Sequence, residues 1–236
     1  MLNIYIGADP RERSAYQVAA DSLARNSSQP VALHRLDADD LYRWRMLWRP
    51  VERSVGRMID HLSGATQSTA FATSRFLVPF LQRTGWALFV DCDIVCVDDI
   101  ARLFALADQS KAVMVVKCIH RPIETTKMDG QAQLTYDRKN WSSVVLWNAE
   151  HPAHHRLSLA DVNSMPGDRL HQFYWLRDDE IGALPDRWNW LCGVQPRPDS
   201  IGIAHYTMGG PWLASREPQD YDDVWHRAAE AAGVSL

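Results

Sequence analysis

Residues 86 to 96 of the chain read Trp-Ala-Leu-Phe-Val-Asp-Cys-Asp-Ile-Val-Cys. The run from Trp86 to Val90 is apolar and suits a short strand buried on both faces, as in a parallel sheet covered by helices. The run ends at Asp91 and Asp93, two carboxylates at positions i and i+2 that project to the same side. Such sheets bind ligands at the carboxyl ends of their strands, so this stretch predicts both the fold class and the position of a site.

Strand-like and helix-like segments alternate on both sides of this stretch. Predicted strands cover residues 2–7, 31–36, 86–90, 112–116 and 144–147. Predicted helices cover residues 14–25, 69–83 and 99–106. This alternation is typical of α/β proteins with a largely parallel sheet. No internal repeat and no long linker divides the chain, so a single domain is expected.

The composition fits a folded domain and indicates no activity by itself. The 236 residues are 46% apolar and 23% charged, with a formal net charge of -4. A chain of this length can bury a sizeable core without metal or disulfide cross-links. Binding to nucleic acid by counterion release needs a basic surface, so nucleic acid is not an expected partner. Arginine outnumbers lysine by 21 to 4, and there are 10 tryptophans.

The cysteines and the first residues indicate a reducing compartment. Cys92, Cys96, Cys118 and Cys192 are irregularly spaced, and three of them stand in apolar runs, so buried free thiols are expected. The sequence starts with MLNIYIGADPRER, which lacks the basic region of a signal peptide and suits a first strand. No apolar run approaches the roughly 18 residues of a membrane span. We expect a cytoplasmic protein that could also contact the inner face of the membrane peripherally.

The two carboxylates after the predicted strand are candidate metal ligands. Asp91 and Asp93 present hard oxygen ligands to a divalent cation such as Mg²⁺ or Mn²⁺. A cation held by few protein groups keeps positions open for phosphate oxygens and would stabilise a departing diphosphate. The spacing itself is common, and Asp37-Ala38-Asp39 repeats it where a helix cap or a solvated loop is expected. Asp91 and Asp93 differ because apolar residues flank them on both sides, where a cation would offset their charge.

A histidine and two glycines near the end of the sequence could complete the site. His205 follows Ile201-Gly-Ile-Ala and could add an imidazole ligand, and mixed nitrogen and oxygen ligation suits Mn²⁺ better than Ca²⁺. Gly209 and Gly210 would let backbone amides approach phosphate oxygens closely. Taken alone, this segment fits a strand-end histidine followed by a Gly-Gly-Pro turn. Beside the two carboxylates, it predicts one site for a metal ion and a diphosphate.

Six segments, taken together, resemble the family 8-like glycosyltransferases, which have the GT-A fold. They are Ile4-Tyr-Ile-Gly-Ala-Asp9, Thr69-Ala-Phe-Ala-Thr-Ser-Arg75-Phe, Phe89-Val-Asp91-Cys-Asp93, Asn140-Trp-Ser-Ser-Val-Val-Leu-Trp-Asn148, Arg177-Asp-Asp-Glu-Ile-Gly-Ala-Leu-Pro-Asp-Arg-Trp-Asn189 and His205-Tyr-Thr-Met-Gly-Gly-Pro-Trp212. They stand in the family's order and span nearly the whole chain. The resemblance implies one GT-A-type domain over residues 1–236, with a Rossmann-like, mostly parallel mixed sheet flanked by helices. Residues 1–110 would mainly bind the nucleotide, and residues 111–236 mainly the sugar and the acceptor.

The same resemblance implies a retaining, metal-dependent transfer of a sugar from a UDP-sugar to a saccharide, glycolipid or other acceptor. Asp9 would bond the uracil or the ribose, and Arg75 would reach the diphosphate or the sugar. Asp91, Asp93 and His205 would hold Mn²⁺ or Mg²⁺, and Asp91 would also touch the ribose.

The sugar itself would meet two other segments. The loop at residues 140–143, with Asn140 and Ser142, would line the sugar pocket. Asp178 or Asp179 would lie at the reacting face of the sugar. The family often has an amide side chain where this chain has Ser142, so the identity of the sugar is left open.

The chain departs from the family at the phosphate. The family usually has a lysine before its C-terminal Pro-Trp, whereas this chain has Gly210 in a loop that is one residue shorter. Arg75, Arg11 or another arginine would then neutralise the diphosphate.

Two other functions fit parts of the sequence. The segment Phe89-Val-Asp91-Cys-Asp93-Ile-Val95 resembles the first motif of haloacid-dehalogenase-like phosphatases, with Asp91 as nucleophile and Asp93 as acid. That motif normally stands on the first strand, but two predicted strands precede it here, and His205 would have no role. An inactive nucleotide-sugar-binding protein is the other alternative, and it would not need the three candidate metal ligands.

Two remaining segments have ordinary interpretations. Residues 41–57 interleave arginines with tryptophans and could form a basic patch for an anionic lipid or acceptor. We expect instead a surface helix, bounded or interrupted at Pro50, whose arginines cover its own apolar residues. His151, His154 and His155 resemble a metal cluster but lack suitably spaced carboxylates and cysteines, so a solvated helix start is expected there.

Overall fold

The structure of the protein, a computed structural model, describes residues 1–54, 57–118, 138, 140–213, 216–219 and 221–235. Its strands are β1 (Leu2–Ala8), β2 (Val31–Asp37), β3 (Val51–Ser54), β4 (Arg57–Asp60), β5 (Thr66–Gln67), β6 (Trp86–Val90), β7 (Ile94–Cys96), β8 (Val113–Val116), β9 (Val144–Asn148), β10 (Ile181–Leu184), β11 (Trp190–Leu191) and β12 (Ile203–His205). Its α-helices are α1 (Arg13–Arg25), α2 (Ala38–Arg43), α3 (Val78–Leu81), α4 (Ile100–Phe104), α5 (Leu159–Ser164), α6 (Gly167–His171) and α7 (Asp222–Ala231). Short 3-10 helices cover Pro10–Glu12, Ser74–Leu77, Pro152–Arg156, Asp178–Glu180 and Asp186–Asn189.

The central sheet has six strands in the order β10-β8-β9-β6-β1-β2. Strand β9 runs antiparallel to both of its neighbours, and the other three pairings are parallel. The prediction of a mixed, mostly parallel sheet is therefore confirmed. Five strands end at one edge of this sheet, where β9 begins, and we call that edge the carboxyl edge.

The apolar runs form the middle of the sheet because both of its faces are covered. All residues of β8 and β9 are buried, as are four of the five residues of β6. Helix α1 buries a stripe that includes Val18, Ala19 and Leu23 and contacts β1 and β7. Continuous apolar strands beneath amphipathic helices are what a parallel sheet requires.

Two small sheets extend the fold, and the sequence predicted neither. One has the order β11-β12-β7, with β12 antiparallel to β7 and parallel to β11. The other has the order β3-β4-β5. The first of these matters for the site, because β7 directly follows Asp93 and β12 ends at His205.

The helix predicted over residues 69–83 is shorter than expected. Helical structure begins with the 3-10 helix at Ser74 and ends with α3 at Leu81. The residues before Ser74 form turns, in which the Ala70 N–H donates to the Asp9 carboxylate at 2.9 Å. Pro79 lies in the first turn of α3, where its missing N–H leaves no backbone hydrogen bond unmade.

The prediction of a surface helix over residues 41–57 is wrong. Helix α2 ends at Arg43, and Arg45 has a φ of 57°, which is incompatible with a continuing helix. Strand β3 follows Pro50. Arg49 is buried and not a surface residue, because its guanidinium pairs with Asp60 at 2.6 Å. The side chains of Arg53 and Arg57 lie outside the described part of the structure.

The histidine cluster is partly as expected. His151 caps the 3-10 helix Pro152–Arg156 by accepting a hydrogen bond from the Ala153 N–H. His154, in contrast, is buried against Trp147, and its burial lowers its pKa to about 4. The expectation of a solvated side chain is therefore wrong for His154, which is neutral at pH 7.

The four cysteines are buried free thiols, as predicted. None of the helices within the described ranges has the length and apolar character that crossing a membrane requires.

Candidate active site

The three predicted metal ligands lie together at the carboxyl edge. The pairing of β12 with β7 sets His205 opposite Ile94, so that the imidazole Nε2 lies 3.3 Å from Asp93 Oδ1. One ligand atom from each of Asp91, Asp93 and His205 lies within 4.8 Å of the others. Two carboxylate oxygens and one imidazole nitrogen fit Mn²⁺, and this set leaves coordination positions for phosphate oxygens.

A further carboxyl group, that of Glu12, lies beside the metal ligands, and the sequence did not indicate it. Burial, and then the negative charges of Asp93 and Asp9, raise the pKa of Glu12 to about 8. Cys92 Sγ donates a hydrogen bond of 3.4 Å to Glu12 Oε2. The Glu12 carboxyl group therefore favours its protonated form at neutral pH.

Arg75 connects Asp91 to the loop at residues 140–143. Its guanidinium pairs with Asp91 Oδ1 at 2.9 Å and donates to the Ser142 carbonyl at 2.8 Å. The guanidinium also lies over the rings of Phe71 and Phe89, at 5.4 and 5.0 Å from their centroids. Arg75 is 5% exposed, so these contacts fix the guanidinium within the wall of the site.

Asp9, at the end of β1, is saturated with hydrogen bonds. Its carboxylate accepts from the backbone and guanidinium of Arg11 at 2.7 to 3.0 Å and from the Ala70 N–H at 2.9 Å. Burial alone would raise the pKa of Asp9, but these bonds hold it below its usual value. Four bonds fill the acceptor capacity of a carboxylate, so a bond from Asp9 to uracil or ribose requires Arg11 to move.

A cavity opens beside Asp9, at the ends of β1 and β2. Its volume is about 400 Å³, and it is lined by Ala8, Asp9, Arg13, Tyr16, Gln17 and Arg35. The Arg35 guanidinium lies 5.4 Å from the centroid of the Tyr16 ring. The cavity thus combines an aromatic face with cationic groups beside Asp9.

The loop at residues 140–143 reaches the same edge because it precedes β9. The Asp91 N–H donates to the Ser143 carbonyl at 3.0 Å. Asn140 has a φ of 63°, and its buried side-chain Nδ2 has no hydrogen-bond partner among the described residues. Ser142 Oγ lies 2.7 Å from His171 Nδ1, so α6 also contributes to this region. His171 carries no recognisable sequence signal, because its helix has only five residues.

Asn189 is the other residue that sequence reasoning missed. It is fully buried behind the metal ligands, with Oδ1 at 2.8 Å from His205 Nδ1. Its Nδ2 donates to the Asn140 carbonyl at 3.3 Å. The neighbouring Trp188 and Trp190 made the segment resemble ordinary core.

Gly209 and Gly210 lie in a turn after His205, and the geometry of this turn favours glycine at both positions. Gly209 has a φ of 107°, which favours glycine, and its N–H donates to the Tyr206 carbonyl at 2.7 Å. A Cβ at Gly210 would lie 1.9 Å from the Trp212 ring. The plain turn interpretation is therefore sufficient for both positions, and the Gly209 amide already has an acceptor within the turn.

Asp178 and Asp179 do not join the other predicted residues. They precede β10, whose first residue pairs with Val113 at the start of β8. Val113 and Ala87 of β6 both pair with Trp147 of β9, so they lie at the same level of the sheet. Ala87 precedes Asp91 by four residues, a distance of about 13 Å along the strand. The two side chains are 91% and 74% exposed. The direction of β10 thus sets these carboxylates away from the metal ligands.

The comparisons with known proteins agree with this architecture. The sequence matches no family model. It is 43% identical over 228 residues to Protein CDI of Arabidopsis thaliana, covering 94% of this chain and 83% of that protein. The glycosyltransferase GlyE of Streptococcus pneumoniae TIGR4 aligns with a TM-score of 0.62 at 16% identity, over 97% of this chain but only 60% of GlyE.

A second solved structure covers the whole length. The galactosyltransferase LgtC, in complex with donor and acceptor sugar analogues, aligns with a TM-score of 0.58 at 14% identity, over 98% of this chain and 95% of LgtC. The protein therefore has the GT-A fold of glycosyltransferases, as the sequence predicted.

Proposed function

The chain belongs to the family of Protein CDI of Arabidopsis thaliana, and we propose that it is a metal-dependent glycosyltransferase of the family 8 type. Its substrates would be a nucleotide-sugar, UDP-linked in our proposal, and a saccharide, glycolipid or other acceptor. The observation that carries the proposal is the convergence of Asp91, Asp93 and His205 within 4.8 Å at the carboxyl edge of a GT-A fold.

The metal ligands would act on the leaving diphosphate. When bound, Mn²⁺ or Mg²⁺ would supply positive charge against the charge that develops there. Asp91, Asp93 and His205 would hold the ion, and Arg75 would keep the Asp91 carboxylate in position. Because the Arg75 guanidinium is committed to Asp91 and Ser142, Arg11 is the more accessible cation for the diphosphate, at 44% side-chain exposure.

The nucleoside would occupy the cavity beside Asp9. Tyr16 offers a flat face there, and a pyrimidine base or ribose can hydrogen-bond to Arg13 and Gln17. Asp9 would hold Arg11 in the free protein and would accept from the ribose or uracil once Arg11 turns to the phosphates. The division into a nucleotide half at residues 1–110 and a sugar half at residues 111–236 is part of this proposal.

The sugar would lie against the loop at residues 140–143. The buried Asn140 amide could donate to a sugar hydroxyl, and Ser142 with His171 would border the pocket. Retention of the anomeric configuration belongs to the proposal through the family resemblance.

The location is part of the proposal as well. Four buried free thiols support a cytoplasmic protein. Trp44 and Trp48 are large and exposed beside the exposed Arg43, which supports peripheral contact with the membrane.

The alternative functions are not favoured. A haloacid-dehalogenase-like phosphatase would use Asp91 as nucleophile, but this carboxylate is paired with Arg75 inside a GT-A fold. A phosphatase would also leave His205 without a role. An inactive binding protein would not need a buried set of ligands for a cation.

A donor screen tests the proposal. The protein is incubated with UDP-sugars and GDP-sugars, with Mn²⁺ or with EDTA, and release of the nucleotide is measured. We expect Mn²⁺-dependent release of UDP from at least one UDP-sugar. Absence of both metal-dependent hydrolysis and metal-dependent UDP binding by calorimetry contradicts the proposal, and Asp91-dependent hydrolysis of p-nitrophenyl phosphate would favour the phosphatase.

A further inference from the structure

Asn189 lies between a metal ligand and the loop that would hold the sugar. The side chain is fully buried at the end of the 3-10 helix Asp186–Asn189. Its amide oxygen lies 2.8 Å from His205 Nδ1, and its amide nitrogen lies 3.3 Å from the Asn140 carbonyl oxygen. One amide group thus spans from the metal ligands to the loop at residues 140–143.

The two contacts fix the proton on the His205 ring. A carbonyl oxygen can only accept, so the group that faces Asn140 is the NH₂ of Asn189. The group that faces His205 is then the amide oxygen, which also only accepts, and His205 Nδ1 must carry the ring proton. The other ring nitrogen, Nε2, faces Asp93 Oδ1 at 3.3 Å and carries the lone pair when the ring is neutral. A histidine that binds a metal through Nε2 needs this tautomer.

The other end of the amide holds a loop whose backbone needs support. Asn140 has a φ of 63°, a region that residues with a side chain seldom adopt. The carbonyl of Asn140 accepts from Asn189 and, at 3.5 Å, from the Ser143 N–H. Among the described residues, Asn189 provides the one side-chain hydrogen bond to this carbonyl, so it links the start of the loop to His205.

We propose that Asn189 is a positioning residue that couples the metal ligands to the sugar-binding loop. Its amide oxygen keeps His205 in the ligating tautomer, and its NH₂ group holds the loop at residues 140–143 against the metal ligands. The inference rests on the proposed function, because it assumes that His205 binds a metal ion and that the loop binds the sugar. It adds that one side chain links His205 to this loop, beside the contacts through which Arg75 and the Asp91 backbone link Asp91 to it.

Two substitutions separate the two contacts. Asn189→Asp keeps an oxygen that can accept the His205 proton but places a second oxygen against the Asn140 carbonyl. Asn189→Leu removes both contacts at similar volume. We expect Asn189→Leu to weaken Mn²⁺ binding about 10- to 100-fold, as is usual when the partner of a metal-binding histidine is lost. We expect Asn189→Asp to keep the Mn²⁺ affinity within about 3-fold while raising the KM for the UDP-sugar about 10-fold, because only the loop contact is broken.

The measurements are Mn²⁺ affinity by calorimetry without nucleotide, and KM and kcat for Mn²⁺-dependent hydrolysis of the UDP-sugar. Asn163→Leu is the matched control, since Asn163 is also buried and bonds the carbonyls of Met46 and Leu159, away from the metal ligands. It should lower the thermal unfolding temperature and leave the Mn²⁺ affinity unchanged.

The outcomes are distinct. Wild-type Mn²⁺ affinity in Asn189→Leu, or an equal loss of affinity in Asn189→Asp and Asn189→Leu, overturns the inference and leaves the proposed function standing. Absence of Mn²⁺ binding by the wild-type protein overturns the proposed function and this inference with it. If Asn189→Leu does not fold, Asn189→Asp alone tests the inference. A raised KM at nearly unchanged Mn²⁺ affinity supports it, and a loss of Mn²⁺ affinity contradicts it.

Discussion

Two acidic clusters lie at opposite edges of the central sheet. Asp91 and Asp93 follow β6 at the carboxyl edge, and Asp178, Asp179 and Glu180 precede β10 at the other edge. In the sequence, both clusters stand beside apolar strands. In the structure, the first converges with a histidine, whereas Asp178 and Asp179 point into solvent.

The two clusters differ most in how their charge is balanced. Buried Glu180 is held by two cations, Arg156 and Arg177, and although burial alone would raise its pKa, their hydrogen bonds keep it below the usual value. Glu12 shifts the other way, because burial and the charges of Asp93 and Asp9 raise its pKa to about 8. Arginines thus balance the charge of Glu180, whereas a cation beside Asp93 would relieve the repulsion that helps to raise the pKa of Glu12.

The largest expected effect is on the rate of Mn²⁺-dependent UDP release, which should depend on the cluster at the carboxyl edge and not on the other one. Asp93→Asn removes a metal ligand and should lower Mn²⁺-dependent release of UDP by about 100-fold or more. Asp179→Asn is chemically the same change at the exposed cluster and should alter the rate less than about 2-fold. Steady-state rates at saturating Mn²⁺, with circular dichroism to confirm folding, test both variants. Comparable losses in the two variants would mean that the distinction between the edges is wrong.

An intermediate effect concerns the arginines of the two clusters. Arg75→Ala leaves the Asp91 carboxylate buried without its guanidinium partner and should cost about 3–5 kcal/mol of unfolding free energy. Arg177→Ala removes a side chain that is 66% exposed and should cost about 1 kcal/mol or less, since Arg156 still pairs with Glu180. Urea unfolding in EDTA gives both values. Equal destabilisation would show that Arg75 contributes no more than a surface arginine.

The smallest expected effect is a difference in pH dependence. The pKa of Glu12 is raised in the folded state, so between about pH 4.5 and pH 8 the folded protein holds a proton that the unfolded chain has released. The metal-free protein therefore loses stability as the pH rises through this interval. Glu12→Gln should flatten this decline, whose slope for a single proton is at most about 1.4 kcal/mol per pH unit. Glu180 has its pKa lowered, so its contribution is present above its ordinary pKa and disappears as the pH falls below it.

Thermal unfolding in EDTA between pH 5 and pH 8 measures both contributions. Glu180→Gln is the control and should not flatten the dependence in this interval. An unchanged pH profile in Glu12→Gln would show that no excess of negative charge exists at the carboxyl edge of the metal-free protein.

The sequence predicted five of the six strands of the central sheet, together with the candidate metal ligands, because their signals are local. An apolar run that ends in Asp91 and Asp93 can be recognised within a dozen residues, and so can the run before His205. The pairing of β12 with β7, which brings the two segments together, has no local signal. It depends on strands that are distant in the chain.

The differences between prediction and structure have the same origin. Motif order alone predicted the role of Asp178 and Asp179, whereas their position follows from the direction of β10, which only the sheet register gives. Arg49 was expected on a surface helix because its partner, Asp60, belongs to another element. Asn189 stood between two tryptophans, where a polar residue that bonds His205 could not be distinguished from core filling.

The placement of His205 on β12 also bears on how the protein is made. Strands β8, β9, β10 and β11 lie between β7 and β12 in the chain, so the three ligands meet only after nearly all of the sheet strands have been synthesised. A nascent chain carries Asp91 and Asp93 long before their histidine exists, and contacts of such long sequence separation form late in folding. A cation that binds only the finished site would therefore favour the completed fold and would leave unfinished chains without stabilisation.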